Sequence, residues 1–361
     1  MKGKKYFVIS ILSFFYNLFT KQKTLIILDA PALFHFAHFE NIISILADRN
    51  DIDVIVICPD IKPSDKIINI TYYQCIENIP LFKKPDLFIS TELNRIPYWY
   101  NCPTVYFGHG MGPKLNYAAN SDLLEYNYIF SPCNPTYKLQ KELVSEQQIY
   151  PLGMPILDNK ENNKTEIIKF FNLNQEKPII VYAPSWCTDI NKLSDINKIV
   201  AFLRTKTNYF NIIISAHPLL FKKERCEGKE IFNVNKPIEG ITLNLPSSNL
   251  TTLELIKSSD IVISDISSIL FEAMALNKKV LFDGNKAIYE YSKALHIYEE
   301  VIQVCHTPCW DDFEDKTIEN VIEFDDLHSQ RERFINNYLF NNGNASTHFI
   351  QEVENILKRD S

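Results

Sequence analysis

A rhythm constrains this chain more than any single motif. Short unbroken apolar runs alternate with stretches of helical periodicity, and the pattern occurs twice. "TLIILDA", "DIDVIVICP", "DLFIS", "TVYFGHG", "YIFSPC" and "IYPLG" form the first series, with helical spacing from Phe39 to Arg49 between its first two runs. A polar joint, "NKENNKTE" (Asn159 to Glu166), follows. The second series is "PIIVYAPS", "FNIIISAHP", "GITLNL", "DIVISDIS" and "KKVLFDG", with helical stretches at Asp195–Lys206 and Ser267–Leu276. Apolar runs without polar alternation are strands buried on both faces, the habit of parallel sheets flanked by helices. Two such series predict an α/β chain of two Rossmann-like domains facing each other across a cleft. The predicted boundaries are 1–23, 24–160 and 161–361. The final helical stretch, Ile335 to Lys358, is interrupted at "NNGNAS" and is a candidate to pack back on the first domain.

Composition narrows the function classes. With 46% apolar and 22% charged residues among 361, the chain is globular and long enough for two domains. A net charge of −7 leaves no broad basic excess, which argues against a general nucleic-acid binder. The eight cysteines are scattered, several in strand-like runs where thiols pack as small hydrophobes, so the reading is a reducing compartment. The N-terminus differs from the rest. An apolar stretch from Tyr6 to Phe19 lies between lysines on both sides. It is too short to span a bilayer and lacks a small-residue cleavage site, so it reads as a helix lying in the membrane interface.

In open α/β sheets, ligands sit beyond the carboxyl ends of the strands. The residues that follow the apolar runs therefore carry the functional reading. In "VYFGHGMGPK", Gly108, Gly110 and Gly112 surround His109, although the whole chain has only nine glycines. Glycine permits positive φ and close backbone approach, so this histidine can stand clear of its own chain as a general base. The spacing does not match the dinucleotide fingerprint, and no P-loop is present. Lys114 follows and can supply positive charge to a phosphate. His217 ends the run "IIISAHP", and Pro218 forces an extended exit that holds it at the strand tip. There it is a candidate catalytic residue that either donates to a phosphate oxygen or protonates a leaving group. "SDISS" places Asp265, Ser267 and Ser268 at a helix start, where free N–H groups and hydroxyls suit phosphate. Glu272 lies further into that helix and is either a ribose ligand or solvated. Ser185 and Asp283 also follow strand runs. His35 and His38 share a helical spacing but show no third metal ligand, and "CHTPC" (Cys305 to Cys309) lacks a second pair, so it reads as a loop.

Taken in order, "FGHGMGPK", "YAPSW", "SAHP", "SDISSILFEAMALNKKVLFD" and "NNGNAS" resemble the CDP-glycerol glycerophosphotransferases. These are teichoic-acid and capsule primases and polymerases of GT-B fold. The resemblance spans roughly residues 104 to 346. It implies that His109 is the base, that His217 binds the pyrophosphate, and that Ser267 and Ser268 hold phosphate. It also puts Glu272 on the nucleotide side and Ser185 where the family has threonine, with Gly110 and Lys114 beside the donor. Cys187 stands where the family has arginine, Ile266 where it has tyrosine, and Asn342 where it has aspartate; Ala216 also departs from the usual residue before the histidine. Losing the arginine removes a bidentate phosphate ligand.

The implied reaction moves glycerol phosphate, or another polyol phosphate, from a CDP-linked donor to a hydroxyl of a lipid-linked or oligosaccharide acceptor, with CMP release. Phosphoryl transfer asks mainly for positioning and charge stabilisation, so no cofactor and no metal is called for. The expected location is the cytoplasmic face of a bacterial membrane, held to its anionic surface by the N-terminal segment. A homo-oligomer is compatible with the sequence. Two rivals stay open: a GT-B glycosyltransferase using a CMP- or UDP-sugar, and an inactive membrane-attached assembly subunit.

Overall fold

A computed structural model gives the structure. It describes residues 23–61, 67–80, 83–108, 110–111, 118, 120–145, 148–185, 190–226, 228, 230–248, 250–284 and 297–359. The predicted interfacial helix at 1–23 therefore lies almost wholly outside the described residues, as do His109, Gly112, Lys114 and Cys187. Among the described residues, no helix is long and apolar enough to cross a membrane.

The chain forms two compact units. The first takes Met1–Gly110, Asn116–Asn159 and Leu339–Ser361, and the second takes Met111–Leu115 and Lys160–Tyr338; only their described residues are discussed. Strands of the first unit are β1 (Thr24–Asp29), β2 (Ile52–Ile57), β3 (Thr71–Tyr73), β4 (Leu87–Ser90), β5 (Thr104–Tyr106), β6 (Tyr128–Ser131) and β7 (Ile149–Pro151). They make one parallel sheet in the order β3-β2-β1-β4-β5-β6-β7. Alternate residues serve opposite faces. Ile26 and Leu28 pack under α1 (Leu33–Phe36), α2 (Glu40–Ala47) and the C-terminal helix, while Ile27 joins Ile55, Ile57 and Phe88 on the other side. Both faces are dry, which is why the run shows no polar alternation.

Strands of the second unit are β8 (Ile179–Ala183), β9 (Asn211–Ile214), β10 (Ile241–Leu243), β11 (Ile261–Ser264) and β12 (Lys279–Phe282). They form a second parallel sheet, ordered β10-β9-β8-β11-β12. Its helices include α3 (Ile190–Thr205), α4 (Thr252–Ser258), α5 (Ser268–Ala275) and α6 (His328–Tyr338). Apolar residues of α3 cover one face around Tyr182 and Ile214, and Leu255 of α4 covers the other with Val181 and Ile213.

The last helix, α7 (Ala345–Arg359), belongs to the first unit's core. Phe349, Val353 and Ile356 are fully or almost fully buried there. Phe349 meets Phe39, Phe107 and Phe130 edge-on at 6.5, 5.1 and 5.2 Å between ring centres. "NNGNAS" is the device that turns the chain into this helix. Asn341 and Gly343 take positive φ, and the Asn341 amide donates to the Pro151 and Leu152 carbonyls at 2.9 and 3.0 Å. The Asp158 carboxylate then caps α7 by accepting from the Ala345 and Ser346 amides.

Candidate active site

In the second unit the strand order reverses between β8 and β11, the place where α/β sheets open a crevice at their carboxyl edge. Ala183 and Ser264 are register partners there. Both strands end in polar residues that bond to each other across the gap. The Ser185 hydroxyl and its backbone N–H, the latter at 3.1 Å, both donate to Oδ2 of Asp265. Asp265 is 1% exposed, so this carboxylate is a fixed internal charge. The Ser264 hydroxyl gives its one proton to the Ala183 carbonyl at 2.7 Å. The 3.2 Å contact between Ser264 and Ser267 is therefore donated by Ser267.

Ser267 is the N-cap of α5, in extended geometry (φ −125°, ψ 174°), yet its hydroxyl caps none of the helix's first N–H groups. It is turned to the crevice floor instead. Ser268 opens the helix, and Glu272, 8% exposed, stands on the same helix one turn on. Ile266, between Asp265 and Ser267, is fully buried.

His217 is placed by two backbone bonds. Its N–H donates to the Pro184 carbonyl at 3.1 Å, which ties it to the exit of β8. Pro218 begins the helical turn Pro218–Phe221, and the Leu219 N–H of that turn donates to Nδ1 of the imidazole at 3.2 Å. A ring nitrogen that accepts carries no proton, so the neutral ring holds its proton on Nε2. The residue as a whole is exposed.

Sequence reasoning missed the group beneath this crevice. Tyr182 is fully buried on β8, and its phenol is raised well above the usual range by burial and by the charges of Asp283, Asp265 and Asp195. It stays protonated and brings no further charge to the carboxylates around it. It escaped notice because it lies inside an apolar run and reads there as core. Asp283, after β12, is also buried, with its N–H on the Ser264 carbonyl and its own carbonyl accepting from the Trp310 indole.

The structure thus brings Ser185, Asp265, Ser267 and Ser268 to one crevice, with His217 hooked to the exit of β8 and Glu272 on the helix that Ser267 opens. Gly110 belongs to the first unit, after Gly108, whose φ of +45° needs glycine beside the Tyr106 ring. The next residue, Met111, is fully buried in the second unit, where its carbonyl accepts from the Tyr338 hydroxyl at 2.7 Å. Tyr338 in turn stacks on Phe271 of α5, at 4.5 Å and 3° between ring planes. Among the described residues, no three His, Cys, Asp or Glu side chains are grouped to hold a metal ion.

This crevice lies inside a stretch, residues 109–355, that matches the family described as CDP-Glycerol:Poly(glycerophosphate) glycerophosphotransferase. The chain belongs to this family. Among curated relatives, it is 29% identical over 209 residues to a teichoic acid glycerol-phosphate primase of Bacillus spizizenii, covering 56% of this chain and 50% of that one. It is 24% identical over 220 residues to the primase of the same description from Bacillus subtilis, covering 59% and 53%. The chain spans about half the length of the curated relatives it matches. Among solved structures, the wall teichoic acid polymerase TagF superposes with a TM-score of 0.64 at 18% identity, covering 97% of this chain and 94% of that one. A UDP-GlcNAc 2-epimerase from Neisseria meningitidis superposes with a TM-score of 0.61 at 14% identity, covering 92% and 100%. At such identities the likeness concerns the fold, which is GT-B-like with parallel sheets.

Proposed function

We propose that this family member transfers glycerol phosphate from CDP-glycerol to an acceptor hydroxyl in the synthesis of a teichoic acid-like surface polymer. The observation that carries the reading is the β8/β11 crevice. A buried Asp265 anchors Ser185, Ser267 and Ser268 stand at the start of α5, and His217 is an exposed residue tied to the exit of β8. Hydroxyls, helix-start N–H groups and a neutral imidazole donor are the groups that stabilise charge growing on a leaving phosphate.

In this scheme His109 takes the acceptor's hydroxyl proton. The alkoxide oxygen attacks the β-phosphorus of CDP-glycerol, a new O–P bond forms, and the bond to the bridging oxygen breaks so that CMP leaves with the electron pair. His217 and Ser268 hold the leaving phosphate, joined by Ser267 once its hydroxyl turns from Ser264 to the phosphate; Glu272 sits on the nucleotide side, and Gly110 and Lys114 line the donor. Residues 1–23 hold the protein on the inner membrane surface beside a lipid-linked or glycan acceptor.

The test is acceptor-dependent CMP release from CDP-glycerol by the purified full chain, wild type against His109→Ala. Loss of release in the variant supports both donor and base. Release that survives in the variant removes His109 as the base. Turnover of UDP- or CMP-sugars without any of CDP-glycerol replaces the donor class.

A further inference from the structure

The first unit repeats the design of the second. Its strand order reverses between β1 and β4, which end at the register partners Asp29 and Ser90. Asp29 has no exposed surface, and three donors hold its carboxylate: Arg95 Nε at 2.9 Å, Arg95 Nη2 at 3.0 Å and the Ser90 hydroxyl at 2.8 Å. Next to it the Thr91 hydroxyl donates to the Asp29 carbonyl at 3.1 Å. That commits its only proton, so the 2.8 Å contact between Thr91 and His35 Nδ1 is donated by the imidazole. Nε2 of His35 lies 3.6 Å from the Glu92 carboxylate. Glu92 is itself fixed, its carbonyl accepting from the Tyr126 hydroxyl at 2.8 Å and its N–H donating to Ser90 at 3.2 Å.

Four buried side chains, Asp29, Ser90, Thr91 and His35, thus hold two that reach the surface. The side chain of Arg95 is 35% exposed and that of Glu92 32%. A satisfied internal network of this kind makes its rim rigid. Two of the five N–H donors of a guanidinium are spent on Asp29, and the others have no partner among the described residues. Glu92 keeps acceptor capacity beyond its contacts with Leu93 N–H and His35. The rim therefore presents donors and acceptors side by side at a strand-order reversal, where α/β sheets bind ligands.

The charge decides the ligand class. Asp29 and Glu92 outweigh Arg95, and the charge of Glu77 acts on the same guanidinium. Even with His35 protonated the group carries no positive excess, so it repels a phosphate. Hydroxyl groups, each a donor and an acceptor, satisfy both edges at once. We propose that Arg95 and Glu92 bind an uncharged polyhydroxyl group, a sugar ring. Its assignment to the acceptor rests on the transferase reading above; the binding site does not.

Saturation-transfer NMR on the full chain tests this with methyl β-glucoside, methyl β-N-acetylglucosaminide and, as the anionic probe, glycerol 3-phosphate. A glycoside binds the wild type, and Glu92→Gln and Arg95→Lys each weaken it by about tenfold, the effect of one lost charged hydrogen bond. Glycoside affinity in both variants equal to that of the wild type, no glycoside binding by wild type, or glycerol 3-phosphate binding that depends on Arg95 overturns the site. Lysine keeps a positive charge against Asp29, and near-UV circular dichroism reports folding; should Arg95→Lys not fold, Glu92→Gln decides alone. In the transfer assay, both variants raise the acceptor KM about tenfold and leave the KM for CDP-glycerol in place. Glycoside binding that depends on both residues, in a protein inert toward CDP-glycerol, sinks the transferase reading and keeps the site. Transfer with an unchanged acceptor KM sinks the site and keeps the reading.

Discussion

A single proton position gives His217 its chemistry. The Leu219 N–H on Nδ1 puts the neutral ring's proton on Nε2, and in the proposed reaction that N–H donates to the leaving phosphate. A glutamine amide can reproduce that donor. His217→Ala is expected to lower kcat by about 100- to 1000-fold, the usual cost of one donor to a developing anion, while His217→Gln keeps a larger share. Steady-state kinetics on both variants checks this, and equal losses would assign proton transfer to the ring instead. Asp265→Asn removes the charge that Ser185 grips with two donors; about 10- to 100-fold in activity is expected, with the fold kept. The place of His217 at a strand tip was legible from Pro218. Its tautomer was not, because the bond that sets it needs the turn to be folded. Reactivity of the thiols follows burial in the same way. Cys102 and Cys305 are pushed up to about 12, chiefly by burial, while Cys309 is exposed. Alkylation of the native protein near pH 8 should therefore label Cys309 and spare the other two, as read by peptide mass spectrometry.

Among the elements, α7 shows how a sequence motif can carry structure. "NNGNAS" belongs to the ordered set that resembles the family; in the structure Asn341 ties the entry of α7 to the exit of β7 and Asp158 caps the helix. Gly153 lies at that seam with φ +95°, and a Cβ there would stand 2.2 Å from the Phe340 carbonyl oxygen. Gly153→Ala should destabilise the protein by about 3 kcal/mol, since backbone on both sides has to move. Phe349→Ala, which empties the centre of an aromatic cluster, should cost about 3–5 kcal/mol. Denaturant midpoints measure both. Most strands could be read in advance as unbroken apolar runs. β3 could not: its Thr71–Tyr73 is a half-exposed edge of three residues, too short and too polar to break the local pattern.

For the whole molecule, charge sets the response to acid. Asp51 is held at about 2 by the Arg49 guanidinium, and Glu230 at about 2 by Lys223, Lys236 and Asn233. Both folded values lie below the ordinary carboxylate range. Their support is therefore present above about pH 4 and is lost as the pH falls toward 2. Asp51 is exposed and Glu230 partly so, which keeps the effect small, but one lies in each unit. The melting temperature should fall between pH 4 and 2, and Arg49→Met should flatten part of that fall.

By itself the sequence determined the two α/β series, the parallel strands and the polar residues at their carboxyl ends, because hydrophobic runs and strand-end polarity are local properties of the chain. The tertiary structure alone decided which of those ends meet. Ser185 finds Asp265 across eighty positions, and Asp29 finds Arg95 across sixty-six, only because the strand order reverses between β8 and β11 and between β1 and β4. Strand order follows from how helices pack on both faces of a sheet, and a chain read in one dimension carries no local mark of it.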